Sequence, residues 1–269
     1  MSLVNSPVSE KSLHVESVGQ GPDVILLHGW GMHGAYWQAL VDDLKANFCL
    51  HCIDLPGHGN SGYAGETGID DFVNRISQTV EQISDGPVYV IGWSLGGLIS
   101  QAWLRSAGER IKKLVLIASS PSFVQRAAWP SAMPRSVLQG FADNLLQDYK
   151  LTLSRFLALQ VRGSEQQQQA LRELKAQLFS RGEPDPQALN IGLLLLQQAD
   201  LREDWSRMDI PVMLVGGERD TLVPSSALIQ MAEQVDDVSL HIIKGAGHAP
   251  FLSHTHEVTP LIKAFFEHE

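Results

Sequence analysis

Short, nearly continuous apolar runs recur along the chain at Val24 to Leu27, Val88 to Ile91, Leu114 to Ile117 and Val212 to Val215, and Ser239 to Ile243 continues the series. Runs this short and rich in β-branched residues suit strands buried on both faces of a sheet. Between them the apolar positions change period. Trp37, Leu40 and Leu44, and then Phe72, Ile76, Val80 and Ile83, fall three or four residues apart, which gives each segment the single apolar face of an amphipathic helix. The alternation predicts right-handed crossovers and an α/β fold, with a mostly parallel central sheet covered by helices on both faces. The first strand, around Leu13 to Val18, is expected to pair antiparallel at an edge.

One stretch breaks this rhythm. From about Ser122 to Trp205 there is no convincing strand, only helical spacing such as Leu145, Tyr149, Leu153, Phe156, Leu157 and the run Leu189 to Leu196. We expect a helical cap over residues 122–205, inserted into a catalytic domain made of 1–121 and 206–269. An insertion between a strand ending near Ser119 and one starting near Pro211 lies over the C-terminal edge of the sheet, where open α/β sheets bind ligands. The tract Gln166 to Gln169 is too short for a low-complexity segment and reads as solvated helix.

Composition narrows the function classes. The 269 residues are 44% hydrophobic and 19% charged, enough to bury a core. A formal net charge of −10 argues against nucleic-acid binding, which needs a basic surface to displace counterions. No apolar stretch approaches the ~20 residues of a membrane span, and Met1 to Lys11 lacks the apolar core of a signal peptide, so a cytoplasmic protein is expected; the expected assembly state is a monomer. Cys49 and Cys52 form a C-x-x-C, but in the strand-like run Phe48 to Leu55 and without a second cysteine pair. Packed or half-exposed thiols are expected there rather than a redox pair or half a zinc site.

The chemistry gathers at predicted strand ends. After Val88 to Ile91 comes Gly92-Trp93-Ser94-Leu95-Gly96-Gly97, and Leu98, Ile99, Ala102 and Trp103 continue at helical spacing. G-x-S-x-G alone is a weak signal, but on a sharp strand-to-helix turn it projects Ser94 above the sheet. There the N–H of Leu95 and its successors at the helix start point at an oxyanion forming on an attacked carbonyl. A serine needs a base, normally a histidine oriented by a carboxylate. Of ten histidines, His248 follows the Ser239 to Ile243 strand in a glycine-rich loop, which brings it to the same edge. His28 and His58 occupy loops at that edge too and read as loop supports. Asp220 follows the Val212 to Val215 strand; Glu218 competes, but Asp220 comes later in the loop and can turn inward over the edge.

The second oxyanion donor is expected in His28-Gly29-Trp30-Gly31, with the backbone of Trp30 as candidate and its indole either walling an acyl pocket or packing under the cap. Asp54 to Gly62 reads as a supporting turn without chemistry. No histidine and carboxylate set has metal-ligand spacing and no G-x-G-x-x-G opens a helix after the first strand, so neither metal nor cofactor is implied.

HGWG at 28–31, DLPGHGNSG at 54–62, GWSLGG at 92–97, GERD at 217–220 and GAGHAPF at 245–251 resemble the α/β-hydrolase superfamily. With Ala118 to Pro121 and the cap segment Arg155 to Gln160, nearly the whole chain is similar to the BioH family of biotin-pathway carboxylesterases. That resemblance implies hydrolysis of the methyl ester of pimeloyl-[acyl-carrier protein], with Ser94, Asp220 and His248 on the family's triad and the acyl-carrier protein as partner. It implies oxyanion and substrate contacts at Trp30 and Leu95, and an acyl channel lined by Phe156, Leu157, Ala158, Leu159 and Gln160. Arg155 and Arg172 fall on carrier-docking positions, whereas Leu151 and Gln168 replace arginine at two others.

Charge points the same way. Lys150 to Arg181 holds six basic residues against Glu165 and Glu173, a surplus of +4 that leaves −14 on the remainder, which suits either an acidic partner or a solvated helical face. The triad also fits a general carboxylesterase, thioesterase or carbon–carbon hydrolase, and the fold can serve a noncatalytic ligand receptor.

Overall fold

The computed structural model describes residues 12–145, 147–162 and 167–268, so the readings of Met1 to Lys11, Glu165 and Gln166 fall outside the described residues. Its strands are β1 (Val15–Gly19), β2 (Asp23–Leu27), β3 (Cys49–Ile53), β4 (Val88–Trp93), β5 (Ile111–Ile117), β6 (Val212–Gly217) and β7 (Val238–Ile243). They form one sheet in the order β1-β3-β2-β4-β5-β6-β7, antiparallel only where β1 meets β3. Exposure follows position. The apolar residues of β2, β4, β5 and β6 are almost wholly buried, while β1 is largely exposed and β7 half-buried at the two edges.

The helices are α1 (Gln38–Leu44), α2 (Ile69–Ile83), α3 (Leu95–Ala107), α4 (Arg135–Leu145), α5 (Tyr149–Gln160), α6 (Gln167–Gln177), α7 (Pro186–Gln198), α8 (Arg202–Trp205), α9 (Ser225–Ala232), α10 (Pro250–Ser253) and α11 (Thr255–Glu267). Among the described residues none is long and apolar enough to cross a membrane. Among the described residues between β5 and β6 only helices and isolated bridges occur. The spacing from Leu145 through Leu157 suggests continuous helix, yet α4 and α5 are separate. Asp148 opens the second: with extended backbone, its carboxylate caps α5 by accepting from the Leu151 N–H at 2.9 Å. Asp185 caps α7 likewise, with Pro186 in the first turn.

This helical segment is tied down at both ends. The N–H of Leu201 donates to the Pro121 carbonyl at 2.9 Å, so the chain leaves and rejoins the sheet at one place. Its helices then lie against loops at the C-terminal ends of the strands. The indole N–H of Trp30 donates to Leu189 O, His33 Nε2 to Gln177 O, and the Tyr36 hydroxyl to Leu174 O, at 2.8, 2.9 and 3.0 Å. Asp54, wholly buried, accepts from the Gly34 and Asn60 N–H groups at 2.6 and 2.9 Å and from Arg181 at 3.4 Å. The Asp54 to Gly62 turn thus anchors the helices as well as the edge.

At the C-terminal ends of β6 and β7 the last residue of β6 and the loop after β7 touch backbone to backbone. A Cβ on Gly217 would stand 2.0 Å from Gly247 O and 2.4 Å from Ala246 O, so only hydrogen fits between them. Gly217→Ala must push the two apart and is expected to destabilise the fold by about 3 kcal/mol. Urea denaturation measures this, and a loss under about 1 kcal/mol would show that the close approach is not required.

Candidate active site

Ser94 is the single residue between β4 and α3, and it sits at φ 53°, ψ −115°, a backbone conformation that costs a non-glycine residue on the order of 1–3 kcal/mol. Hydrogen bonds hold it there. Its N–H donates to Ile117 O at 3.0 Å, and its carbonyl accepts from the Leu98 N–H at 3.0 Å and the Ser119 hydroxyl at 2.9 Å. The turn is also crowded. A Cβ on Gly96 would lie 2.1 Å from Leu27 O, so glycine there lets α3 start hard against the end of β2.

The strand ends bring the three candidate groups together. Ser94 Oγ lies 2.9 Å from His248 Nε2, and Asp220 Oδ2 lies 2.8 Å from His248 Nδ1. A carboxylate only accepts, so Nδ1 carries the proton and Nε2 is left with the lone pair that takes the serine proton. Asp220 is itself oriented, because Oδ1 accepts from the Leu222 and Val223 N–H groups at 2.8 and 3.0 Å. Glu218 turns away and accepts instead from the Gly245 N–H at 2.9 Å. Ser94 and His248 are 2% and 1% exposed, so the group lies beneath the helices between β5 and β6.

Leu95 opens α3, at the helix end whose first N–H groups lack intrahelical acceptors. Trp30, fully buried in the loop after β2, packs its indole under α7 and meets Phe156 edge-on at a centroid distance of 5.1 Å. Phe156 in turn meets the His248 ring at 6.3 Å. The carbonyl of Gln160 accepts from the Ala249 N–H at 3.2 Å, so the end of α5 rests on the loop that carries His248. Leu157 and Gln160 are buried and Ala158 and Leu159 half-buried in the same segment. Arg155 and Arg172 are exposed on α5 and α6, apart from the triad.

Tertiary partners change the charge reading of the cap. Arg181 is 12% exposed and pairs with Asp54 and Glu16, and Lys150 pairs with Glu183. Arg155, Arg162, Arg172 and Lys175 remain as exposed cations of the segment. Trp93 has a part that its motif position does not reveal: its indole N–H donates to the His248 carbonyl at 2.9 Å, and its ring lies 6.2 Å from the imidazole. Ser119 is a second such residue, through its bond to the Ser94 carbonyl. Their one sequence signal is adjacency to the ends of β4 and β5.

His28 and His58 take the supporting role expected of them. His28 Nε2 accepts from the Leu55 N–H at 2.9 Å while Nδ1 donates to Gly29 O, and His58 Nδ1 donates to Pro56 O. Burial, with the His58 ring beside it, pushes the His28 imidazole down to about 3, and burial lowers His58 and His33 as well. All three are neutral spacers in the fold.

Comparison with known proteins places these observations among relatives. Residues 22–255 match the family described as alpha/beta hydrolase fold. The chain is 42% identical to a pimeloyl-[acyl-carrier protein] methyl ester esterase of Nitrosomonas europaea, over 90% of this chain and 94% of that one. It is 39% identical to proteins of the same name from Aeromonas hydrophila, over 94% and 99%, and Chromobacterium violaceum, over 96% and 98%. In fold it is similar to an esterase from Exiguobacterium antarcticum, at TM-score 0.86 and 21% identity over 95% of this chain and 96% of the other. A bromoperoxidase from Bacillus anthracis has the same score at 22% identity, over 94% and 95%.

The buried histidines predict how the fold responds to acid. His28, His33 and His58 stay neutral when folded but take up protons when unfolded, once the pH falls below about 6.5. Stability is therefore full above pH 6.5 and declines below it, for His28 down to about pH 3, by about 1.4 kcal/mol per pH unit for each proton. Urea midpoints should fall as the pH drops from 7.5 to 5. A flat profile would contradict the neutral assignment.

Proposed function

The chain belongs to the α/β-hydrolase fold family and, within it, to the pimeloyl-[acyl-carrier protein] methyl ester esterases, and from that premise we propose that Ser94, His248 and Asp220 carry out its hydrolysis. It is a carboxylic ester hydrolase of biotin synthesis, which releases methanol and the free carboxylate from the methyl ester of a carrier-bound pimeloyl chain. The observation that carries the catalytic assignment is the hydrogen-bonded line from Ser94 Oγ through the His248 ring to Asp220.

Ser94 Oγ attacks the ester carbonyl carbon as His248 Nε2 takes its proton, and Asp220 stabilises the imidazolium that results. The carbonyl oxygen becomes an oxyanion facing the N–H groups of Leu95 and Trp30. As the intermediate collapses, His248 returns the proton to the methoxy oxygen, and methanol leaves an acyl-enzyme. Water then gives a proton to Nε2 and attacks the acyl carbon. The second intermediate collapses as His248 returns that proton to Ser94 Oγ, and the carboxylic acid released loses its own proton to solvent to give the carboxylate.

Residues 122–205 act in this reading as a cap on the catalytic domain of 1–121 and 206–269. A nucleophile this deeply buried favours an extended acyl chain entering end-on, past Phe156 to Gln160 and Trp30, with its terminal ester at Ser94 and the carrier outside. Arg155 and Arg172 offer exposed charge to an acidic carrier. All parts come from one polypeptide, which suits a monomer, and the free thiols of Cys49 and Cys52 suit the reducing cytoplasm.

Methanol release from a pimeloyl-carrier methyl ester tests the assignment: Ser94→Ala should lower kcat by about 10⁶-fold and Asp220→Asn by about 10⁴-fold. Activity retained in Ser94→Ala would remove the nucleophile from the proposal. The double charge reversal Arg155→Glu/Arg172→Glu should lower kcat/KM for the carrier-bound ester at least about tenfold and leave a small soluble ester within about twofold, since screened surface charge acts mainly on encounter. Equal loss on both substrates would sink the docking role.

A further inference from the structure

Spacing along the chain suggests no metal-ligand set, yet strand register assembles one at the opposite end of the sheet from Ser94. Asp23 and Cys49 are the first residues of β2 and β3 and are register partners, while His51 lies two residues along β3 and shares the face of Cys49. One donor atom from each, a carboxylate oxygen, Sγ and a ring nitrogen, lie within 4.8 Å of one another. We propose that Asp23, Cys49 and His51 form a binding site for a borderline-soft divalent transition-metal ion, zinc being the type, with water in the fourth position.

The donor types suit that ion. Zinc takes thiolate, imidazole and carboxylate at about 2.0–2.3 Å, so tetrahedral ligand atoms stand roughly 3.3–3.8 Å apart. His51 Nε2 and Asp23 Oδ1 are already 2.9 Å apart, and Cys49 Sγ lies within 4.8 Å of both donor atoms. His51 is also oriented as a ligand should be. At present its Nε2–H donates to Asp23 and its Nδ1 accepts from the Ser17 hydroxyl on β1 at 2.8 Å; on binding, the ring would take the other tautomer, with Nδ1–H donating to Ser17 and Nε2 on the ion, the outer partnership common to metal-bound histidines. His51 is 4% exposed at its side chain and Asp23 27%, which leaves a path for the ion and for the water ligand.

The ion would replace hydrogen bonds that the cluster already makes. Burial works against ionisation of Asp23, but bonds from His51 and Ser84 outweigh it and hold the carboxyl below its ordinary range. Burial and the Asp23 carboxylate push the Cys49 thiol up, so binding displaces its proton. Cys52, three residues along the strand, points to the opposite face and cannot join the set. An ion here joins β2 to β3 next to the antiparallel edge strand, far from the reacting atoms.

Full-length, tag-free protein stripped with a chelator and titrated with zinc chloride against a chromophoric chelator should bind one equivalent at this site. Cys49→Ser should weaken that binding at least about tenfold, as loss of a ligand does, and Cys52→Ser should leave it within about twofold. Cobalt(II) should give a near-ultraviolet thiolate-to-metal band that disappears in Cys49→Ser and persists in Cys52→Ser. Turnover of a short ester should stay unchanged in each variant, because neither thiol touches the triad. Zinc affinity equal in the wild type and in Asp23→Asn/Cys49→Ser, or a cobalt spectrum with no Cys49-dependent band, overturns the site.

Discussion

Ser94 held at φ 53° is the constraint on which the rest of the site depends. A strand that runs directly into a helix through one residue must carry that residue in a conformation an L side chain resists. In return the hydroxyl stands clear of both elements, and the first free N–H groups of the helix stand beside it. The cost is met by neighbours at the ends of two strands: Ile117 O at the end of β5 accepts the Ser94 N–H, the Ser119 hydroxyl just beyond β5 donates to its carbonyl, and Gly96 lets α3 approach Leu27 O at the end of β2. Any of these elements displaced would release the turn, so the packing of the sheet and the position of the nucleophile are one problem.

The same economy extends to the helices over the sheet. The loop after β2 that supplies Trp30 as an oxyanion candidate also supplies three side-chain donors to backbone carbonyls of α6 and α7, from Trp30, His33 and Tyr36. Closure over Ser94 and organisation of the oxyanion site therefore share a short stretch of chain. Gln160 and Phe156 connect α5 to the His248 loop from the other side. A shift of these helices is felt at both the base and the oxyanion donors, which couples access of an acyl chain to assembly of the reactive geometry.

The two ends of the strands have been put to different uses. At their C-terminal ends, loops diverge and can be shaped around a substrate, which is where Ser94, Asp220 and His248 meet. At the N-terminal ends of β2 and β3 the register itself sets Asp23, Cys49 and His51 side by side. The first arrangement needs loop contacts such as Gly217 against Gly247; the second needs only strand pairing.

Periodicity and turn chemistry alone determined the α/β alternation, the antiparallel edge, the long helical stretch after β5 and the candidate Ser94, Asp220 and His248, because each of these is a local pattern placed at a strand end. The break at Asp148 was open to the same reasoning, as a capping residue, but the apolar spacing across it masks the signal. What tertiary structure decided was which polar groups meet. Asp220 over Glu218, the indole of Trp93 on the His248 carbonyl, Arg181 withdrawn from the surface by Asp54, and His51 between Ser17 and Asp23 all depend on partners from about 25 to more than 150 residues away. A sequence records the donors and acceptors; only the folded backbone brings them within hydrogen-bonding distance.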